Sequence, residues 1–362
     1  YNASCREKSQ VSRSRALSVP AASSVVSNKF PRFRPHPLLR SGHAQTLAGV
    51  YLPGHNYPYR AEQRIVRLAD GDRVVLHDER TSAWKPGDRA ALLIHGLAGC
   101  HTSGYMQRIA HKLSNRGVRV FRMDLRGCGA GHELASLPYH SGRSEDAAAA
   151  LEEIARLAPR SPVTLVGFSL GGNIALKLAG ELEDQPCAHL DSVMSVCPPA
   201  DLAACSRQIQ KRPNTLYDRY FVRRLLEQIE MRRHMLPPEQ AAPFPKPPRN
   251  LWEFDNLFTA AICGFGTADN YYAQASSLPL LPRIKLPTLI LASRDDPMIP
   301  PHALLNAALP PVVQLHMTDH GGHLGFVGRR GVDADRRWMD WRVVDWVLAA
   351  DRVISSAAVF QT

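Results

Sequence analysis

The sequence contains no run of eighteen or more apolar residues, so it offers no candidate for a membrane-spanning helix. Its seven cysteines (Cys5, Cys100, Cys128, Cys187, Cys197, Cys205 and Cys263) are odd in number, and no two stand in a Cys-x-x-Cys spacing. That speaks against a disulfide framework and against a structural zinc site, and fits reduced thiols in a cytoplasmic protein. There is no internal repeat. No basic stripe interleaved with aromatic residues runs through the chain, which argues against a nucleic-acid partner. Acidic residues are scarce at one end: residues 1–40 hold eight Lys or Arg and a single acid, Glu7. The remainder, 36 basic against 32 acidic residues, carries little of the net charge of +11. Residues 1–27, rich in Ser, Arg and Ala without an apolar core segment, read as a disordered basic tail, with an acid-poor transit peptide as the alternative.

What is present suits one large domain. The chain has 362 residues, 44% of them hydrophobic, enough for a sizeable core and an insertion. Residues 28–60 combine Pro, Arg and aromatics and read as an irregular arm. Residues 63–80 alternate apolar and polar around Asp70-Gly71, the pattern of a β-hairpin. Strands are then expected at 91–94, 118–123, 163–166 and 191–196, alternating with helices at 105–114, 145–157 and 170–183. The rhythm stops near Asp201. Residues 201–280 are polar, Arg-rich and helical in pattern, and strands resume at 288–292 and 312–317 before a helix from 335 to about 348. This predicts an α/β fold, a mostly parallel sheet flanked by helices. The helical insertion at 201–280 is expected as a lid over the carboxyl ends of the strands. Its rings (Trp252, Phe254, Phe258, Phe265, Tyr271 and Tyr272) must be buried in a satellite core, against an acyl pocket, or both.

The strongest chemical signal is Gly167-Phe168-Ser169-Leu170-Gly171-Gly172. It follows an apolar strand and opens a helix, where a sharp turn presents the serine oxygen and small neighbours let strand and helix backbones approach. A serine hydroxyl needs a base. In sheets with this turn the acid and then the histidine follow the serine along the chain. After the strand at 288–292 comes Ser293-Arg294-Asp295-Asp296-Pro297. A small residue three before the acid and a proline four after it select Asp296, leaving Asp295 as a loop-capping or surface acid. After the strand at 312–317 comes Thr318-Asp319-His320-Gly321-Gly322-His323. His323, on the Gly-Gly turn, is favoured over His320. A metal reading of His316, Asp319, His320 and His323 lacks a second ligand cluster. Oxyanion donors are expected from the backbone N–H groups of Leu170, beside the serine, and Leu97, in the small-residue loop Ile94–Gly99. His95 is assigned to the architecture of that loop. Asp124-Leu125-Arg126-Gly127-Cys128-Gly129 is a strand-end loop packed close to the site, and Cys128 lacks the context of a nucleophile.

Together these motifs resemble the YheT-like branch of the α/β-hydrolase fold. The matching residues include His36-Pro37, His43-Ala44-Gln45-Thr46-Leu47, His95-Gly96-Leu97, Arg126-Gly127-Cys128-Gly129, Trp252-Glu253-Phe254-Asp255, Asp295-Asp296-Pro297 and Gly321-Gly322-His323-Leu324-Gly325-Phe326, besides the serine turn. The resemblance covers about residues 30–350. It implies carboxylic-ester hydrolysis through a Ser-His-Asp triad and an acyl-enzyme, on short-chain esters or the acyl esters of glycerides and phospholipids, with no cofactor and no metal. The expected partner is a small-molecule or lipid ester, met in solution or at a membrane surface. The departure is Ala98-Gly99-Cys100-His101, where an acidic and small polar stretch is expected. The alternatives are an acyltransferase using the same triad and a non-catalytic binding protein, the latter disfavoured because no triad member is missing.

Overall fold

The computed structural model describes residues 30–359 except 53–56, 184, 186 and 236–245, and the side chains of 351–359 are not described. The basic tail expected at 1–27 therefore lies outside the described residues. Eight strands form one sheet: β1 (Glu62–Arg67), β2 (Arg73–Glu79), β3 (Ala90–Ile94), β4 (Arg119–Asp124), β5 (Val163–Phe168), β6 (Leu190–Val196), β7 (Thr288–Ser293) and β8 (Val313–Thr318). Their order is β1-β2-β4-β3-β5-β6-β7-β8. The β1–β2 hairpin joins antiparallel through β2 to β4, and every later pairing is parallel.

The two faces of the sheet follow from its period of two. In β3, Ala90, Leu92 and Ile94 enter one core, while Ala91 and Leu93 enter the other. The first core is closed by α3 (Ser144–Leu157) and α4 (Leu170–Leu182), the second by α2 (Gly104–Ser114) and the last helix, Trp338–Val359. That last helix starts three residues later than expected and runs on further. The arm contributes α1 (Gly42–Tyr51), which starts at an Ser41 side chain accepting from the Ala44 N–H.

Between β6 and β7 the chain leaves the sheet, as the interrupted rhythm predicts. It forms α5 (Leu202–Ile209), α6 (Thr215–Arg232), a helical stretch from Leu251 with a π-helical turn at Asp255–Thr259, and α7 (Ala268–Ala275). Leu202, Ala260, Ala268, Tyr271, Tyr272 and Ala275 make a small core of their own.

One buried ion network joins the hairpin to the parallel sheet. Arg126, in the loop after β4, is 2% exposed and binds Asp146 on α3 through two hydrogen bonds of 2.6 and 2.7 Å. It also reaches Asp70 at 2.6 Å and Asp72 at 2.9 Å in the hairpin turn. Asp72 in turn accepts from the Ser136 and Leu137 N–H groups. Burial opposes the charge on Arg126, but hydrogen bonding and charge from Asp146 and Asp70 outweigh it and push its pKa up. Removing only the guanidinium leaves carboxylates stranded in low dielectric, which typically costs about 3–5 kcal/mol. Arg126→Met is thus expected to lower unfolding stability by about that amount, read from the urea midpoint at constant slope. An unchanged midpoint would show the network to be solvated and dispensable.

Candidate active site

The serine turn is built as its residues require. Ser169 follows β5 directly and precedes α4, with φ 51° and ψ −119°, a conformation that side-chain-bearing residues rarely adopt. Its N–H is tied to the Val196 carbonyl at 2.8 Å. A Cβ on Gly167 would collide with the Gly171 carbonyl, and one on Gly171 would stand 2.5 Å from the Ile94 oxygen. Glycine at both positions is what lets β5, α4 and β3 meet under the serine.

Ser169 Oγ lies 2.8 Å from His323 Nε2, and His323 Nδ1 lies 2.8 Å from Asp296 Oδ2. The other Asp296 oxygen accepts the N–H groups of Met298 and Ile299 at 2.8 and 3.0 Å. An acceptor-only carboxylate fixes the Nδ1–H tautomer and leaves Nε2 free to accept the serine proton. Asp296 and His323 are buried, whereas Ser169 is partly exposed. Asp295 faces another way: it accepts the Gly322 N–H at 2.9 Å and meets the exposed His320 at 3.4 Å. It caps the histidine loop. His316 packs against Phe30 and Trp338, so the four residues of the metal reading do not converge.

Leu97 and Leu170, whose N–H groups are the expected oxyanion donors, line the same cavity as Ser169. In the loop after β3, the Gly96 N–H donates to Tyr105 Oη and the Ala98 N–H to Tyr139 Oη, both at 2.9 Å. Among the described residues, the N–H groups of Leu97 and Leu170 have no hydrogen-bond partner. They are the unspent donors of the site, and Leu170 opens a helix whose dipole favours negative charge there. His95 is wholly buried, with Nδ1 2.8 Å from the Gly96 oxygen and Nε2 accepting the Leu125 N–H at 3.2 Å. Burial lowers its pKa, so it stays neutral and holds the loop. Cys128 is buried, and burial pushes its thiol up, away from a thiolate nucleophile.

Asp124, at the end of β4, pins the same loop. Its Oδ1 accepts the His101 N–H at 2.6 Å, and its Oδ2 takes His101 Nδ1, His77 Nε2 and the Ala130 N–H at 2.8–2.9 Å. Burial works to raise its pKa, but the bonds from His101 and His77 prevail and hold it well below the usual carboxylate range. His77 and His101 stack at 3.5 Å between ring centroids, 15° from parallel. A single ion cannot lie near the planes of both rings in that arrangement, so the trio serves as a hydrogen-bonded clamp. The unexpected His101 of this sequence is thus part of the loop anchor.

Two cavities share Leu97, Leu170, Asp255 and Tyr271 as walls, and one of them opens at the serine. One contains Ser169 and His323 and is lined by apolar Leu202, Ile209, Phe221 and Met298. The other runs past Leu97 and Leu170 to Phe254, Phe258, Leu225 and Arg232. Of the insertion's rings, Phe254, Phe258, Tyr271 and Tyr272 face these cavities, whereas Phe265 lines neither and packs with the satellite core.

Comparison with known proteins decides the family. Residues 91–329 match the family described as alpha/beta hydrolase fold. The chain belongs to the α/β-hydrolase family. YheT of Escherichia coli (strain K12) is 34% identical over 287 residues, 78% of this chain and 83% of its own. Phospholipase ABHD3 of Homo sapiens is 28% identical over 79% of this chain and 71% of its own length. Monoacylglycerol lipase of Saccharomyces cerevisiae is 27% identical over 68% and 56% respectively. Among solved structures, 2,6-dihydroxy-pseudo-oxynicotine hydrolase matches with a TM-score of 0.53 at 18% identity, covering 80% of this chain and 68% of that one. Est1E of Butyrivibrio proteoclasticus gives 0.51 at 14% identity, over 80% and 99%. These two speak for the fold alone.

In this α/β-hydrolase the arm has a task that residue patterns did not reveal. Thr46 Oγ1 accepts the His323 N–H at 2.9 Å and donates to the Gly42 carbonyl at 2.7 Å. Gln45, fully buried, bonds the carbonyls of Leu39 and Val327 and accepts the Val327 N–H. The His43–Leu47 motif therefore fastens the histidine loop. The signal was present as two adjacent polar residues in a helix too short to stand alone. On the serine's other flank, releasing the Asp124 clamp should displace the Leu97 donor. Misplacing a transition-state donor costs about ten- to a hundred-fold in rate. Asp124→Asn is expected to lower kcat by that factor with little change in KM, measured on p-nitrophenyl butyrate. An unaltered kcat would free the clamp from any part in positioning.

Proposed function

We propose that the chain is a serine carboxylic-ester hydrolase with Ser169 as nucleophile, His323 as general base and Asp296 as the orienting acid. The observation that carries this reading is the unbroken hydrogen-bond chain from Ser169 Oγ to Asp296, with both links at 2.8 Å. His323 Nε2 takes the hydroxyl proton as Ser169 attacks the acyl carbon. The Leu97 and Leu170 N–H groups receive the developing oxyanion. His323 then returns the proton to the departing alcohol, and water, activated by the same nitrogen, releases the acid. Every group required is a protein side chain or backbone amide, so the scheme calls for no cofactor.

The substrate class is a short-chain ester or an acyl ester of a glyceride or phospholipid. Apolar cavity walls support it, since they can cover an acyl chain and keep water from it. Two relatives support it too, being named a phospholipase and a monoacylglycerol lipase. The insertion after β6 supplies most of those walls and acts as the lid. No helix among the described residues is long and apolar enough to cross a membrane.

Ser169→Ala is expected to abolish hydrolysis of p-nitrophenyl butyrate, by on the order of 10⁴- to 10⁶-fold, with an unchanged circular dichroism spectrum. Retention of about a tenth of the activity would overturn the assignment. The two adjacent acids give a second comparison. Asp296→Asn should cost on the order of 10⁴-fold in kcat, because the imidazole loses its tautomer. Asp295→Asn should cost far less, since it loosens only the Gly322 cap. The reverse ranking would transfer the role of acid to Asp295.

A further inference from the structure

The cavity beyond Leu97 and Leu170 ends on a charge with no carboxylate ion pair among the described residues. Arg232, the last residue of α6, is 7% exposed and lines this cavity together with Gln228 and Asp255. Its Nη2 donates to the backbone carbonyls of Ala135 and Leu137, while its Nε is buried without any hydrogen-bond partner. Among the described residues no carboxylate forms an ion pair with it. Asp72, the acid whose field it feels, is engaged by Arg126. A guanidinium stays charged in proteins, and an unpaired buried charge is strongly destabilising. Two backbone carbonyls supply dipoles but no opposite charge.

The chain makes specific room for this group. The arginine lies over Gly127, in the Arg126-Gly127-Cys128-Gly129 motif that the catalytic reading leaves without a task. A Cβ at 127 would collide with the guanidinium, and the glycine's φ of +67° disfavours any side chain there. None of the remaining titratable walls forms an ion pair with it among the described residues. Burial pushes His140 down to about 3 and Tyr139 up, so both are neutral. Asp255 is also burdened by burial, which raises it to about 7 despite hydrogen bonds from Tyr272 and Thr259.

We propose that this cavity is a binding site for an anionic oxygen group, a carboxylate or phosphate, carried by the ester substrate, with Arg232 as its counter-charge. The proposal rests on the hydrolase reading and narrows its substrate. The route of the proton indicates which part of the ester enters. His323 must hand its proton to the departing alcohol, so the alcohol occupies the cavity that His323 lines. The cavity without His323 or Ser169 then receives the acyl group, and Arg232 meets an acid group at the far end of the acyl chain. Phe254, Phe258 and Leu225 would cover the methylenes between.

The test compares charged and neutral esters of equal length. In the acyl arm, mono-p-nitrophenyl adipate is set against p-nitrophenyl hexanoate. In the alcohol arm, lysophosphatidate is set against monoacylglycerol. Arg232→Gln removes the charge yet keeps a donor for the Ala135 and Leu137 carbonyls, and Arg232→Lys keeps the charge. The expected result is a fall of at least ten-fold in the charged-to-neutral ratio of kcat/KM in the acyl arm for Arg232→Gln, with partial recovery in Arg232→Lys. Hexanoate hydrolysis by the same variant serves as the reference, so that any general loss of activity cancels in the ratio. The same fall confined to the alcohol arm supports the anion site and assigns the anion to the alcohol. An unchanged ratio in both arms, or equal losses on charged and neutral esters, overturns it. Binding of free adipate and of inorganic phosphate to the Ser169→Ala chain, followed by calorimetry, reads the site without turnover. Binding of either probe that Arg232→Gln abolishes supports the site. No binding, or binding indifferent to Arg232→Gln, overturns it even if the chain proves to hydrolyse no ester.

Discussion

The positive φ of Ser169 is the constraint on which the rest of the site depends. A residue with a side chain is held there only if its surroundings over-determine it. Here they do so from three sides. The β5 strand fixes the entry, the Val196 carbonyl holds the serine N–H, and α4 begins at once. The glycines at 167 and 171 are needed because no other residue fits between strand, helix and the end of β3. The strain has a return: it sets the serine oxygen clear of the sheet edge, beside the free N–H of Leu170. A serine in ordinary helical geometry would point its oxygen back along the preceding turn.

Around that point the protein is organised by buried polar clamps more than by its apolar core. The oxyanion loop and the histidine loop must meet at the serine, and each is tied to something rigid. Asp124 holds the oxyanion loop, and Thr46 with Asp295 holds the histidine loop. Arg126 draws the hairpin turn and α3 together behind both. Each clamp is a fully engaged charge or hydroxyl, as low dielectric demands. Arg232 and Arg337 are buried with backbone carbonyls as partners and no carboxylate ion pair among the described residues, and it is Arg232 that lines a cavity beside the catalytic loops, which is the reason to look for a ligand there.

Much of this was legible in the residues. The strand–helix rhythm from Ala90 onward is written in short apolar runs, because a parallel sheet is buried on both faces and favours apolar positions, with paired polar residues such as Arg119 and Asp124 at the ends of β4. The interruption near Asp201 is just as plain. Small residues at 167 and 171 announced the close approach that they permit, and the spacing from Ser293 through Asp296 to Pro300 separated two adjacent acids that the structure turns in different directions. What could not be read were contacts between segments far apart in the chain. Thr46 meets His323 across 277 residues, and no local pattern records that pairing. The partition of the insertion's rings was equally hidden: Phe258 and Phe265 look alike in sequence, yet one walls a cavity and the other packs in the satellite core. The lack of a carboxylate partner for Arg232 among the described residues likewise emerges only from contacts between distant segments.

The central claim is that Ser169 is a nucleophile activated by His323. Covalent labelling tests it without assuming any substrate. The chain would be treated with a fluorophosphonate probe, digested and read by mass spectrometry for the modified residue. The account predicts one adduct per chain, on Ser169, formed rapidly in the unaltered protein and lost in His323→Ala. Labelling on another residue, or labelling of Ser169 that survives loss of the histidine at full rate, would contradict it.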